Sequence, residues 1–278
     1  LNLTEFPLGP FIFSTGGFIF LLGGLIATWM LTRTVHEKGL SLNFLYQHLP
    51  LLILATFVIG RVANIWSYWD YFVAELTDPS WWEKVLLFFQ KFIYFWHGGL
   101  DVFWSAIGFL LVFFILIFRY KENLWKWLDA FSLPTILLIT FWSLGAFFSA
   151  WNYGKPVSDS FLFGVTYDVQ EVRYSLPLHP VQIYAFLYFG ALFVAGWRAW
   201  SKNLFQKEGT FFGITTLLVF LGNGLLEFFR GDPTLTVDIG GVELRTTQLM
   251  SFIFSIIFVF FLIIHTHPDI LHAERKKT

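Results

Sequence analysis

The sequence predicts an all-α membrane protein of seven transmembrane helices. Three observations predict it: an apolar composition, seven stretches of spanning length, and an uneven division of Lys and Arg between the connections. Of 278 residues, 56% are hydrophobic, 22% aromatic and only 13% charged, more apolar surface than a soluble domain of this size can hide. A bilayer core of roughly 30 Å takes about 20 mostly apolar residues per helix. Seven stretches reach that length: 11–31, 45–66, 99–118, 131–151, 180–200, 211–229 and 247–265. The segments after the first, third, fifth and seventh hold Arg33 and Lys38; Arg119, Lys121 and Lys126; Arg198, Lys202 and Lys207; and Arg275, Lys276 and Lys277. The other connections are much longer, yet hold only Lys84, Lys91, Lys155, Arg173, Arg230 and Arg245, and Arg61 is left inside the second span. Positive charge is retained on the cytoplasmic side, so the N-terminus is expected outside and the C-terminus inside. One polytopic domain over 1–278 is the simplest organisation.

Taken in order, the first span has no Lys or Arg before it and no small-residue cleavage site after it, so it reads as a retained helix rather than a signal peptide. The second carries Gly60 and Arg61 late in its course. Residues 67–96 form an amphipathic, Trp-rich segment, with Trp66, Trp69, Trp81 and Trp82 suited to the headgroup zone. His97 and Asp101 flank the start of the third span. Ser143, Gly145, Ala146, Ser149, Ala150 and Gly154 let the fourth pack closely against a neighbour. Residues 161–175 alternate around Val165, Tyr167 and Val169, and 235–245 places Gly240 and Gly241 between two short β-type runs, a hairpin pattern. The external loops 67–96, 152–178 and 230–246 are expected to build a small periplasmic head.

Composition also excludes chemistry. The net charge is −1 with no basic or acidic block, so nothing points to nucleic acid. Cysteine is absent, which removes disulfides, thiolate metal sites and a cysteine nucleophile of the protein's own. Any thiol chemistry must use a substrate's thiol, and no metal or cofactor is expected.

Ionisable groups inside a span cost from about 2.5 kcal/mol upward at the bilayer centre, so they face a bundle interior or a wet cavity. With the orientation above, Arg61, His97, Asp101, His179, Gln182, Asn223, Glu227, Arg230 and Gln248 all fall in the outer half. Asn223, Glu227 and Arg230 stand at i, i+4 and i+7 and share one helical face. Two readings stay open. Glu227 neutralises Arg230 or Arg61, or the group lines a polar cavity that gathers an anionic headgroup, with Arg61 or Arg230 as phosphate partner. His97 precedes Gly98 and Gly99, which allow backbone or ligand to approach closely; a structural interfacial histidine is the alternative. His179 before Pro180 is explained equally well by a proline in the first helical turn.

At these residues the chain resembles the bacterial prolipoprotein diacylglyceryl transferases. The resemblance runs over nearly the whole length: seven spans, GR at Gly60 and Arg61, HGGL at 97–100, HPxQxY at His179, Gln182 and Tyr184, EFFR from Glu227 to Arg230, and Gln248 opening the last span. It implies a bacterial inner-membrane enzyme with two substrates, phosphatidylglycerol and the signal peptide of a prolipoprotein. The diacylglyceryl group passes to a lipobox cysteine thiol and glycerol phosphate leaves. Such a reaction needs a base for the thiol and cations for the phosphate. The implied catalytic residues are His97 as base with Arg61, Glu227 and Arg230; the implied binding residues are Gly98, Gly99, His179, Gln182, Tyr184, Asn223 and Gln248. Departures from the family pattern are also visible: Ser143, Ala146, Ser149 and Trp151 replace polar residues of the fourth span, and Asn223 stands where the family has an Arg. A member that binds anionic lipid or lipoprotein without turnover, or a membrane-complex subunit, is the alternative these departures raise.

Overall fold

Ser14, Ser80 and Asp101 each cap the start of a helix by accepting a backbone N–H. In the computed structural model, which describes residues 5–8, 11–74, 80–94, 99–169 and 172–267, the chain opens with β1 (Glu5–Leu8) antiparallel to β2 (Phe11–Ser14). The helices α1 (Thr15–Glu37), α2 (Leu42–Ser67), α3 (Trp69–Val73), α4 (Trp81–Ile93), α5 (Val102–Tyr120), α6 (Leu124–Phe148), α7 (Val181–Ser201) and α8 (Thr210–Leu226) follow. A 3-10 turn (Glu227–Phe229), the hairpin β3 (Thr236–Ile239) and β4 (Val242–Arg245), and α9 (Thr246–Thr266) complete the described order. Ser14 accepts the Gly17 N–H at 3.2 Å and so starts α1, four residues later than the apolar run suggests. Residues before it pair as strands, a hairpin the sequence reading misses, whereas the hairpin expected around Gly240 and Gly241 is present.

Among the described residues six helices are long and apolar enough to cross a membrane: Thr15–Glu37, Leu42–Ser67, Leu124–Phe148, Val181–Ser201, Thr210–Phe229 and Thr246–Thr266. The expected third span coincides with α5, whose stretch Trp104–Tyr120 is apolar but shorter.

The chain divides into two compact units. In the unit formed by Leu1–Leu40 and Trp125–Thr278, Ala27, Met30, Leu133, Leu137 and Phe211 form a buried core cluster. As expected from its small residues, α6 comes very close to its neighbour: a Cβ on Gly145 would stand 2.7 Å from the Gly16 carbonyl oxygen. The sequence places the start of this helix at residue 131, but it begins at Leu124 and carries Asp129 into the interior. Asp129 is fully buried. It accepts from Lys38 Nζ (3.0 Å), Gly209 N (3.0 Å) and Phe212 N (2.9 Å), so it both pairs its charge and caps the first turn of α8. That is how an apolar helix tolerates a carboxylate.

In the unit Ser41–Leu124, α2 runs along α5, with Gly60 against Ser105 and Gly108 against Ala55 and Ile59. Helix α4 begins with a capping box between Ser80 and Glu83. One side of it brings Leu87 to Ile65 and Phe72. Trp82, Leu86, Phe89 and Ile93 recur at helical spacing and lie exposed, as do Trp66 and Trp81, whereas Trp69 packs against the buried cluster. An apolar stripe left open on an amphipathic helix fits an interfacial setting.

Candidate functional site

A 3-10 turn sets the geometry at the end of α8. The sequence places Asn223, Glu227 and Arg230 on one helical face, but the helix tightens over Glu227–Phe229 and Arg230 is extended (φ −74°, ψ 138°). The Asn223 amide donates to Ser251 Oγ on α9 at 2.9 Å. Glu227 is buried, 1% exposed, and accepts from two arginines, Arg230 Nη1 and Arg245 Nε, each at 2.6 Å. Arg230 also donates Nε and Nη2 to the Asp232 carboxylate (2.9 and 2.7 Å) and Nη2 to Asn152 Oδ1 (2.7 Å). Arg245 reaches Asp232 through its carbonyl (2.8 Å) and Oδ1 (3.1 Å). Burial opposes the charge of Arg230, but the carboxylates of Asp232 and Glu227 outweigh it and raise the guanidinium above its ordinary range. Two guanidinium groups and two carboxylates thus form one electrically balanced cluster.

Arg245, Asp232 and Asn152 are absent from the sequence-derived set. The hairpin supplies the missing signal. Gly240 and Gly241 adopt φ +64° and +85°, turning the chain so that Thr236 pairs with Arg245. A hairpin read from two glycines implies that the charges at its two ends come together.

Against this cluster the connection after α6 forms a backbone platform. Gly154 bridges Arg230, Pro156 bridges Leu178, and Val165 bridges Leu178, so the alternating 161–175 segment contributes a bridge rather than a full strand. Lys155 N donates to the Phe229 carbonyl (2.8 Å) and Gly231 N to the Tyr153 carbonyl (2.9 Å). Only glycine fits at 154, since a Cβ there would collide with the His179 carbonyl oxygen. His179 donates its backbone N–H to the Lys155 carbonyl (3.0 Å). Its ring lies 3.3 Å from the Tyr184 hydroxyl and between Phe161 and Phe229. Gln182, 2% exposed, donates to the Trp151 carbonyl at 2.7 Å. Its amide oxygen and the Tyr167 hydroxyl lie close to one another without good hydrogen-bond geometry. Burial pushes that hydroxyl up to about 12, so Tyr167 acts as a donor near neutral pH and not as a base. Gln248 is buried at the start of α9, and its amide nitrogen has no partner among the described residues. Trp151 is exposed and tilted against Trp142 at 5.8 Å.

Arg61 belongs to the other unit, and its partners are neither Glu227 nor an open anion site. It is fully buried. Nε and Nη2 donate to the Lys91 carbonyl, Nη2 to the Tyr94 carbonyl (3.1 Å), and Nη1 to Asn64 Oδ1 (3.2 Å) and the Gly99 carbonyl (2.7 Å). The Lys91 and Tyr94 carbonyls stand at the C-terminal end of α4, where helical acceptors lack partners and a cation is favoured. Arg61 thereby fixes both Tyr94 and Gly99, the latter at φ +70°. His97 and Gly98 lie between them, outside the described residues. Replacing Arg61 with Lys leaves one ammonium to serve acceptors that the planar fork meets together. R61K is expected to cost about 1–3 kcal/mol, read as a lower thermal midpoint and faster proteolysis around residues 94–99. An unchanged midpoint, with only the KM for lipid raised, would restore the phosphate role expected from the sequence.

The family model described as prolipoprotein diacylglyceryl transferase matches residues 4–264. Among curated proteins, a phosphatidylglycerol–prolipoprotein diacylglyceryl transferase of Chloroherpeton thalassium is 31% identical over 237 residues, covering 81% of this chain and 78% of its own length. One of Tolumonas auensis is 27% identical over 225 residues, covering 80% of each chain. One of Prochlorococcus marinus is 24% identical over 267 residues, covering 88% of this chain and 84% of its own.

Proposed function

The chain belongs to the prolipoprotein diacylglyceryl transferase family, and we propose that it carries out the reaction named in its relatives, moving the diacylglyceryl group of phosphatidylglycerol to a prolipoprotein. The observation that carries this reading is the match over 4–264, which takes in the motifs at His97, His179, Glu227 and Gln248. In the proposed reaction His97 takes the proton of the lipobox cysteine thiol. The thiolate sulfur attacks the glyceryl carbon bearing the phosphate; that C–O bond breaks, a C–S bond forms, and glycerol phosphate leaves with the electron pair. His179, Tyr184 and Gln182 line the platform that receives the lipid, with Gly98, Gly99, Asn223 and Gln248 as further binding residues.

The division of labour between charges differs from the sequence expectation. Glu227, Arg230 and Arg245 neutralise one another with Asp232, so in this reading they act as a brace that holds the Gly154 to His179 platform. Arg61 acts as a brace for the segment containing His97. Seven spans with the N-terminus outside and residence in the bacterial cytoplasmic membrane complete the proposal, supported by the eleven-to-six division of Lys and Arg between the two sides.

The test is transfer itself. Purified chain in phosphatidylglycerol vesicles, given a lipobox peptide, is expected to form a thioether-linked diacylglyceryl peptide and release glycerol phosphate in equal amount. No transfer, with phosphatidylglycerol retained through purification, would replace the enzyme by the lipid-binding reading.

A further inference from the structure

We infer that Lys155 is the cation that meets the departing phosphate, an inference that rests on the proposed transferase reading. The argument starts from charge. In the unit that holds the His179 platform, Arg230 and Arg245 are each bonded to both Glu227 and Asp232. Every nitrogen of Arg230 donates within that cluster or to Asn152. A phosphate arriving beside them meets a group whose charge is already balanced and in which every nitrogen of Arg230 is engaged.

Lys155 is different in both respects. Its side chain is exposed and has no ion pair or hydrogen bond among the described residues, while its backbone is fixed more tightly than that of an ordinary surface lysine. The N–H is held by Phe229 (2.8 Å) and the carbonyl by His179 (3.0 Å). Its neighbours Gly154 and Pro156 are bridged to Arg230 and Leu178. The root of the side chain is thus pinned between the Glu227–Arg230 turn and the histidine at the entrance of α7. A compact ammonium on a flexible stem from a fixed root can follow a phosphate as its charge grows. Arg173, the other exposed cation of this region, stands one step removed, its backbone N–H reaching the Tyr153 hydroxyl at 3.4 Å.

When the thiolate displaces the phosphate ester, the electron pair of the breaking C–O bond stays on the phosphate oxygen, and the ammonium of Lys155 stabilises that gain in charge. The loss is expected mainly in turnover, since the charge is greatest as the group leaves.

The experiment uses the full chain in phosphatidylglycerol vesicles with a lipobox peptide, and compares wild type, K155Q, K155R and R173Q. K155Q is expected to lose about 10- to 100-fold in turnover and to bind glycerol 1-phosphate, used as product inhibitor, several-fold more weakly. K155R should recover most of both, and R173Q should match wild type. Wild-type turnover and product affinity in K155Q overturn the inference, as does a loss confined to R173Q. If wild type itself transfers nothing, the transferase reading fails separately. Direct binding of glycerol 1-phosphate then still decides Lys155, since equal affinity in wild type and K155Q overturns its role.

Discussion

Replacing His97 with Gln is expected to lower lipid transfer by about 10²- to 10⁴-fold at pH 7, the range for losing a positioned general base, while the thermal midpoint stays at the wild-type value. The chain has no cysteine, so the nucleophile is the acceptor's thiol, whose ordinary pKa near 8.5 leaves only a few per cent as thiolate at neutral pH. An imidazole can take that proton, and Gln cannot. The variant should also change the pH profile. Wild-type activity is expected to fall on the acid side, where a protonated base can no longer take the thiol's proton. The residual rate of H97Q should instead climb about tenfold per pH unit toward 8.5, because only thiolate formed in solution reacts. Fold and rate separate cleanly here, because Arg61 holds the carbonyls of Tyr94 and Gly99 on either side of the substituted residue. An H97Q rate equal to wild type at pH 7, or a wild-type profile without the acid limb, would remove His97 from the reaction.

Much of this arrangement was legible in the sequence, and the parts that were not share a physical cause. Six of the seven expected spans coincide with helices long and apolar enough to cross a membrane, and the third with the shorter α5, to within a few residues at most ends. The exception is α6, where Lys126 and Asp129 look like the edge of the membrane; Asp129 instead enters the helix because Lys38 and two backbone N–H groups of α8 receive it. Partners that distant leave no local trace. Arg61 was legible as a buried cation but not as a brace, because its acceptors, Asn64 apart, are main-chain carbonyls, which every residue possesses and no pattern marks. The i, i+4, i+7 spacing puts Arg230 on the face of Asn223 and Glu227 only if 3.6 residues per turn persist to residue 230. Three residues of 3-10 geometry send Arg230 elsewhere. Arg245 could have been found, since the Gly240–Gly241 turn pairs Thr236 with it.

That last residue governs the effect of replacing Glu227 with Gln. The Glu227 carboxylate divides its two oxygens between Arg230 and Arg245, each at 2.6 Å, with 1% of the residue exposed. Glutamine keeps the volume but offers one acceptor oxygen, and turns an N–H₂ group toward a guanidinium that itself only donates. Two arginines then share the single charge of Asp232 in a buried place. Removing one partner from a buried ion pair costs about 3–5 kcal/mol, and charge of this kind is not recovered by rotating a side chain. The damage should travel along the backbone, because Arg230 bridges Gly154 and Lys155 is hydrogen-bonded to both Phe229 and His179. E227Q is therefore expected to lower the thermal midpoint by several degrees, to open residues 232–245 to protease, and to reduce transfer even below the temperature of unfolding. Substituting both Arg245 and Glu227, by Met and Gln, should be less destabilising than E227Q alone, since it removes the excess positive charge along with its partner. A wild-type midpoint in E227Q, or a double variant worse than the sum of its single changes, would show that Glu227 serves the substrate directly and that the balanced cluster is not what holds this end of the protein together.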